Sequence, residues 1–230
     1  MKCLLSVCLT MLAGVAIVAA SRTGQTPALQ KGISVQMATS SHAAAVPEAD
    51  RENAWIVTVT ADGKIYFGTE PVTPDGLAEQ MKTRPRNRAA RLYLKADAGA
   101  PFSEVRQALR AAREDLFDDV VLLTAQSESA QPGTIALPEG FDVWIGNEAT
   151  SSSVTVQLGS EQGAASLKLN NKAVASSDLQ GRLAQIFDGR GARVVVLKAS
   201  GQVPYAQVIQ AIDDARAAGA SRITMILPEI

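Results

Sequence analysis

Histidine occurs once in these 230 residues, at His42, and cysteine twice, at Cys3 and Cys8. So few ligands and bases exclude a Cys/His zinc cluster and leave no Ser-His-Asp or Cys-His pair to expect. Beyond residue 20 there is no cysteine, so no disulfide framework can hold the rest of the chain. No phosphate-cradling loop stands in the sequence either: Asp188-Gly189-Arg190-Gly191 lacks the lysine and hydroxyl of a P-loop and reads as a turn. Aromatic residues are only 4%, so any core is mainly aliphatic. A net charge of −1 lacks the basic footprint of a nucleic-acid binder. The expectation is a protein with no cofactor and no metal, and not an enzyme. What is present, 47% apolar and 20% charged residues, is the composition of an ordinary globular chain.

The longest hydrophobic run opens the chain. Leu4 to Ala20 carries no charge, follows Lys2, and ends in Val18-Ala19-Ala20 before Ser21-Arg22. It reads either as a signal peptide cleaved after Ala20 or as a membrane anchor at the short limit of a spanning helix. Residues 21–53 have a linker composition rich in Ser, Thr, Ala, Gln and Gly. Within them His42 reads as a solvated loop residue.

From Trp55 the pattern sharpens. Trp55–Val59 and Ile65–Phe67 flank Asp62-Gly63, a hairpin signal. Thr73-Pro74-Asp75 opens a short helix that Pro85 ends. Leu92-Tyr93-Leu94 reads as a strand, Pro101 starts a second helix with Phe102, Val105, Leu109 and Ala112 on one face, and Val120–Leu123 is a last strand. A shift of 103 residues then lays Leu94-Lys95-Ala96 on Leu197-Lys198-Ala199, Pro101 on Pro204, and Val105, Gln107, Ala108, Ala112 and Arg113 on Val208, Gln210, Ala211, Ala215 and Arg216, nine identities without a gap. The hairpin recurs more loosely at Val154–Leu158 and Ser166–Leu169. The expected organisation is a tandem duplication, with units at 54–126 and 152–230 and a spacer at 127–151.

The order of these elements, with Asp62-Gly63-Lys64-Ile65-Tyr66, Val72-Thr73-Pro74-Asp75-Gly76-Leu77, Lys95-Ala96-Asp97 and Pro101-Phe102, resembles the periplasmic domain of the ExbD/TolR family. Lys198-Ala199-Ser200 and Pro204-Tyr205 carry the resemblance in the second unit. It implies an α+β fold of two tandem domains, each strand-strand-helix-strand-helix-strand with two helices on one face of a small mixed sheet. It also implies an inner-membrane or periplasmic location and partners of two kinds: an ExbB/TolQ-like channel subunit, and a TonB/TolA-like envelope-spanning protein or peptidoglycan. Relatives dimerise through this domain, so an intramolecular pseudo-dimer or a homodimer is expected. The chain departs from the family in one respect: Leu4–Ala20 holds no Asp or Glu, where relatives place a proton-relay acid. A secreted scaffold that binds peptidoglycan or protein, independent of any motor, is the alternative.

Five residues are candidate partner contacts. Lys95 and Lys198 end corresponding strands, Asp97 precedes the second helix, and Arg86 and Arg88 belong to the densest positive cluster. Each also has a bland reading: an edge-strand lysine, a loop acid capping backbone amides, and a solvated loop.

Overall fold

The computed structural model describes residues 32–85, 90–126, 137–146, 152–161 and 164–227. The apolar run 4–20, and with it the choice between signal and anchor, lies outside them, as do Arg86 and Arg88. Among the described residues no helix is long and apolar enough to cross a membrane.

Among the described residues thirteen strands and four α-helices follow one another. A leader supplies β1 (Thr39–Ser40), β2 (Ala44–Ala45) and a 3-10 turn at Pro47–Asp50. Then come β3 (Trp55–Val59), β4 (Ile65–Phe67), β5 (Glu70–Val72), α1 (Pro74–Thr83), β6 (Leu92–Ala96), α2 (Phe102–Glu114) and β7 (Asp119–Gln126). After β8 (Glu139–Gly146) the order recurs as β9 (Val154–Glu161), β10 (Ala164–Leu169), β11 (Lys172–Ala173), α3 (Leu179–Phe187), β12 (Val194–Ala199), α4 (Tyr205–Ala217) and β13 (Arg222–Ile226). The architecture is mixed α+β.

The strands form one continuous mixed sheet in the order β11-β10-β9-β12-β13-β8-β7-β6-β3-β4-β5. Two small separate sheets were expected; β8 joins them, antiparallel to β7 and parallel to β13. It lies within residues 127–151, expected as a spacer. Phe141, Val143 and Ile145 point into the core while Asp142 and Trp144 face outward, the period-two pattern of a half-buried strand. At Gly140 a Cβ would come within 2.7 Å of the Leu122 carbonyl oxygen, so this crossing of β7 requires glycine. Leucines, valines and alanines of both halves make one core, from Trp55 through Phe102 and Phe141 to Tyr205 and Ile223.

Local chemistry sets the helix ends. The Thr73 hydroxyl accepts from the Gly76 N–H at 3.1 Å and caps α1. Neither α2 nor α4 has a side-chain cap, for their N-cap residues are Pro101 and Pro204. Each helix takes its missing acceptors from the other half. Phe102 N–H donates to the Val203 carbonyl at 3.0 Å and Ser103 N–H to the Gly201 carbonyl at 3.0 Å. Tyr205 N–H donates to the Ala100 carbonyl at 2.9 Å and Ala206 N–H to the Ala98 carbonyl at 2.9 Å. Under the shift of 103 the first pair of bonds maps onto the second, so the segments meet about a local two-fold axis beside Pro101 and Pro204. The first-turn donors that any helix leaves orphaned are thus satisfied reciprocally.

The two halves end their long helices differently. Gly219 follows α4 at φ 92°, a left-handed stop that glycine adopts freely. The matching residue after α2 is Leu116, at φ 63° and 77% exposed. A leucine there carries left-handed strain and an exposed apolar side chain. Leu116→Gly is expected to raise stability by about 1 kcal/mol, read as a higher urea midpoint with an unchanged m-value.

Candidate functional site

Residues 36–50, expected as part of a flexible linker, are an ordered strap. Gln36 N–H donates to Asp97 Oδ2 at 3.0 Å, and the Gln36 carbonyl accepts from Ala98 N–H at 2.8 Å. β1 then pairs in parallel with the end of β7, and the Ser40 hydroxyl donates to Thr124 Oγ1 at 2.8 Å in a buried position. At Ser41 and His42 the strap crosses to the second half. Both backbone N–H groups donate to Asp213 Oδ1 on α4, at 3.1 and 2.8 Å, while His42 Nδ1 lies 3.3 Å from Asp213 Oδ2. His42 is therefore not simply a solvated loop residue. Asp213 is only 7% exposed, and its carboxylate is met by three groups of the strap. β2 next pairs with the start of β8, and Val46 and Ala49 cover the sheet face opposite the helices, packing with Ile56, Tyr93, Val121 and Leu123.

Three of the five candidate contacts can be placed, and they differ. Lys198 stands exposed on β12. Asp97 holds the strap, accepting also from Gly99 N–H at 2.9 Å, which is the capping role open to a loop acid. Lys95, the repeat partner of Lys198, is 4% exposed on the face under the strap. A partner could reach it only if the strap lifted.

Burial holds the Lys95 ammonium below the usual lysine value of 10.5, against a weaker opposing pull from Asp50. A folded state that resists protonation loses stability while both states are charged, and recovers it as pH climbs through the window below 10.5. Lys95→Met is expected to stabilise the protein by about 1–2 kcal/mol at neutral pH. It should also flatten the rise in stability on the alkaline side, measured by urea unfolding between neutral and alkaline pH.

The hairpin tip near Asp97 carries its own ion pair. Lys64 Nζ lies 2.7 Å from Asp62 Oδ2, and the Thr60 hydroxyl donates to Asp62 Oδ1 at 2.5 Å. The ammonium first and the hydroxyl second draw the Asp62 carboxyl down to about 2.

A cleft of about 300 Å³ opens at the other end of β3 and β6, between the 3-10 turn and the end of α1. Arg51, Arg84 and Arg91 line it with Glu48, Trp55 and Tyr93. Arg91 pairs with Asp142 on β8 and, at 3.8 Å, with Asp119. Arg51 lies 3.8 Å from Glu48. Arg84 has no carboxylate partner among the described residues; its guanidinium lies over the rings of Trp55 at 5.1 Å and Phe67 at 5.4 Å. Among the described residues no group of His, Cys, Asp and Glu could hold a metal ion.

The strap and β8 were the elements missed from sequence. The alternation of Phe141, Val143 and Ile145 was a signal for β8. Asp213 carried none, since its partners lie 171 and 172 residues away.

A family model described as biopolymer transport protein ExbD/TolR matches the chain twice, over residues 5–127 and 120–227. No curated protein and no solved structure matches it.

Proposed function

The chain belongs to the ExbD/TolR family of biopolymer transport proteins, and from that premise we propose a non-enzymatic envelope protein made of two tandem ExbD/TolR-like domains. It binds partner proteins in proton-motive-force-coupled biopolymer transport or envelope maintenance. The observation that carries this reading is the double family match, one copy per half of the chain. The reciprocal capping of α2 and α4 supports the further step that the halves act as an intramolecular pseudo-dimer. The partners are an ExbB/TolQ-like channel subunit and a TonB/TolA-like envelope-spanning protein. Because Leu4–Ala20 offers no acid, the proton relay is assigned to a partner and a coupling role to this chain.

The test is to express the full chain in an envelope-bearing bacterium, wash the membranes with carbonate, take the intact mass, and identify what co-purifies. Full-length protein that resists the wash and brings a channel subunit with it is expected. A mass beginning at Ser21 in the soluble periplasmic fraction, with no channel subunit, would overturn the anchored coupling role.

A further inference from the structure

We propose that the arginine cleft between the 3-10 turn and the end of α1 is a binding site for a phosphate-bearing anion. The argument begins with charge. Arg91 is committed to Asp142 and Arg51 stands 3.8 Å from Glu48, but Arg84 faces no carboxylate among the described residues. Arg84 and the exposed Arg51 thus face one cleft of about 300 Å³, with Glu48 the carboxylate that lines it among the described residues. A phosphate monoester has three free acceptor oxygens, enough to take forked N–H groups from both arginines at once. A monocarboxylate has two acceptor oxygens, enough for one fork.

Placement is the second point. Arg84 is laid across Trp55 and Phe67, which fixes its long side chain before any ligand arrives. The third point is a comparison within the molecule. Trp55 pairs with Leu92 in the first half, and Val154 with Val195 in the second, so Val154 stands in Trp55's place. By the same register Val194 and Val196 stand in the places of Arg91 and Tyr93. The fold is built in the second half without any of these groups, so their presence in the first is not a requirement of the sheet.

The chain has two tryptophans, and they give the experiment its readout. Trp55 lines the cleft, while Trp144 lies on β8 beneath Arg222, 4.5 Å from that guanidinium. The full chain, nitrogen-15 labelled in detergent micelles, is titrated with inorganic phosphate while the two indole N–H signals are followed, with Trp144→Phe for assignment. A saturable shift of the Trp55 signal alone is expected. It should weaken about tenfold in Arg51→Glu, a variant at an exposed position (side chain 69% exposed) whose fold should be intact. Acetate should shift it less than phosphate.

Repeating the titration with a short-chain phosphatidic acid, whose headgroup is a phosphate monoester, separates the sources. Saturation by inorganic phosphate points to a free phosphate compound, and saturation by the lipid alone points to a headgroup. The proposal is overturned if neither moves Trp55. It is equally overturned if both indoles drift together as they do in sodium chloride, or if Arg51→Glu binds like the parent.

Discussion

A chain cut down to residues 32–126 is expected to be unfolded when dilute and to fold only as a dimer when concentrated. Cutting away the second half orphans the first-turn N–H groups of Phe102 and Ser103 and the carbonyls of Ala98 and Ala100. At about 0.5–1.5 kcal/mol for each of four backbone bonds, the lost pairing is worth about 2–6 kcal/mol. A domain of this size holds only about 5–10 kcal/mol in total, and the cut also strips β8, with Phe141, Val143 and Ile145, from the edge of β7, so the remainder no longer holds the fold. The exposed segment is self-complementary: Phe102 N–H of one copy can meet the Ala100 carbonyl of another, as Tyr205 N–H does in the intact chain. Circular dichroism and sedimentation across a concentration series decide the matter. A folded monomer whose helicity is independent of concentration would remove the reciprocal caps from the account of stability.

The second large effect is expected from Asp213→Ala. This carboxylate is nearly buried and accepts two backbone N–H groups from the strap, beside the imidazole of His42. Bonds to a charged acceptor are worth about 1.5–3 kcal/mol each, but water can replace part of that at Ser41 and His42, which are exposed, leaving a loss of about 2–3 kcal/mol. The loss should be local before it is global. Hydrogen exchange at residues 38–46 is expected to quicken by about 30–150-fold, the same free energy expressed as an opening constant, while α1 keeps its protection. His42→Ala should cost under about 1 kcal/mol, because its side chain is 48% exposed and its pairing is screened. Equal losses in the two variants would mean that the imidazole, not the backbone amides, holds the strap.

How much of this could be read from the residues depends on how local the signal is. Thr73-Pro74-Asp75 declared the start of α1 because a cap is a contact across three residues. Asp62-Gly63 declared the first hairpin because a turn is local too, and Gly63 sits at φ 81°. The correspondence of the halves was visible at Leu94 and Ala96, buried as Leu197 and Ala199 are, and at Pro101, which meets Pro204. β8 was misread as spacer because it has no counterpart in the repeated pattern, although Phe141, Val143 and Ile145 alternated in plain view. The strap is another kind of miss. Backbone amides tie it to Asp213, and backbone bonds leave no trace in side-chain periodicity. Lys95 and Lys198 look alike in sequence; one is covered and the other open only because the strap crosses one face of the sheet.

Joining the two halves through β8 has a consequence for counting. An assembly of two identical chains about a two-fold axis must display every surface feature in duplicate. Here the axis relates backbones but not side chains, so each feature is free to exist once. Among the described residues the strap, the arginine cleft and the exposed lysine at Lys198 each have a single location. A partner that read any of them would meet one copy of it per chain.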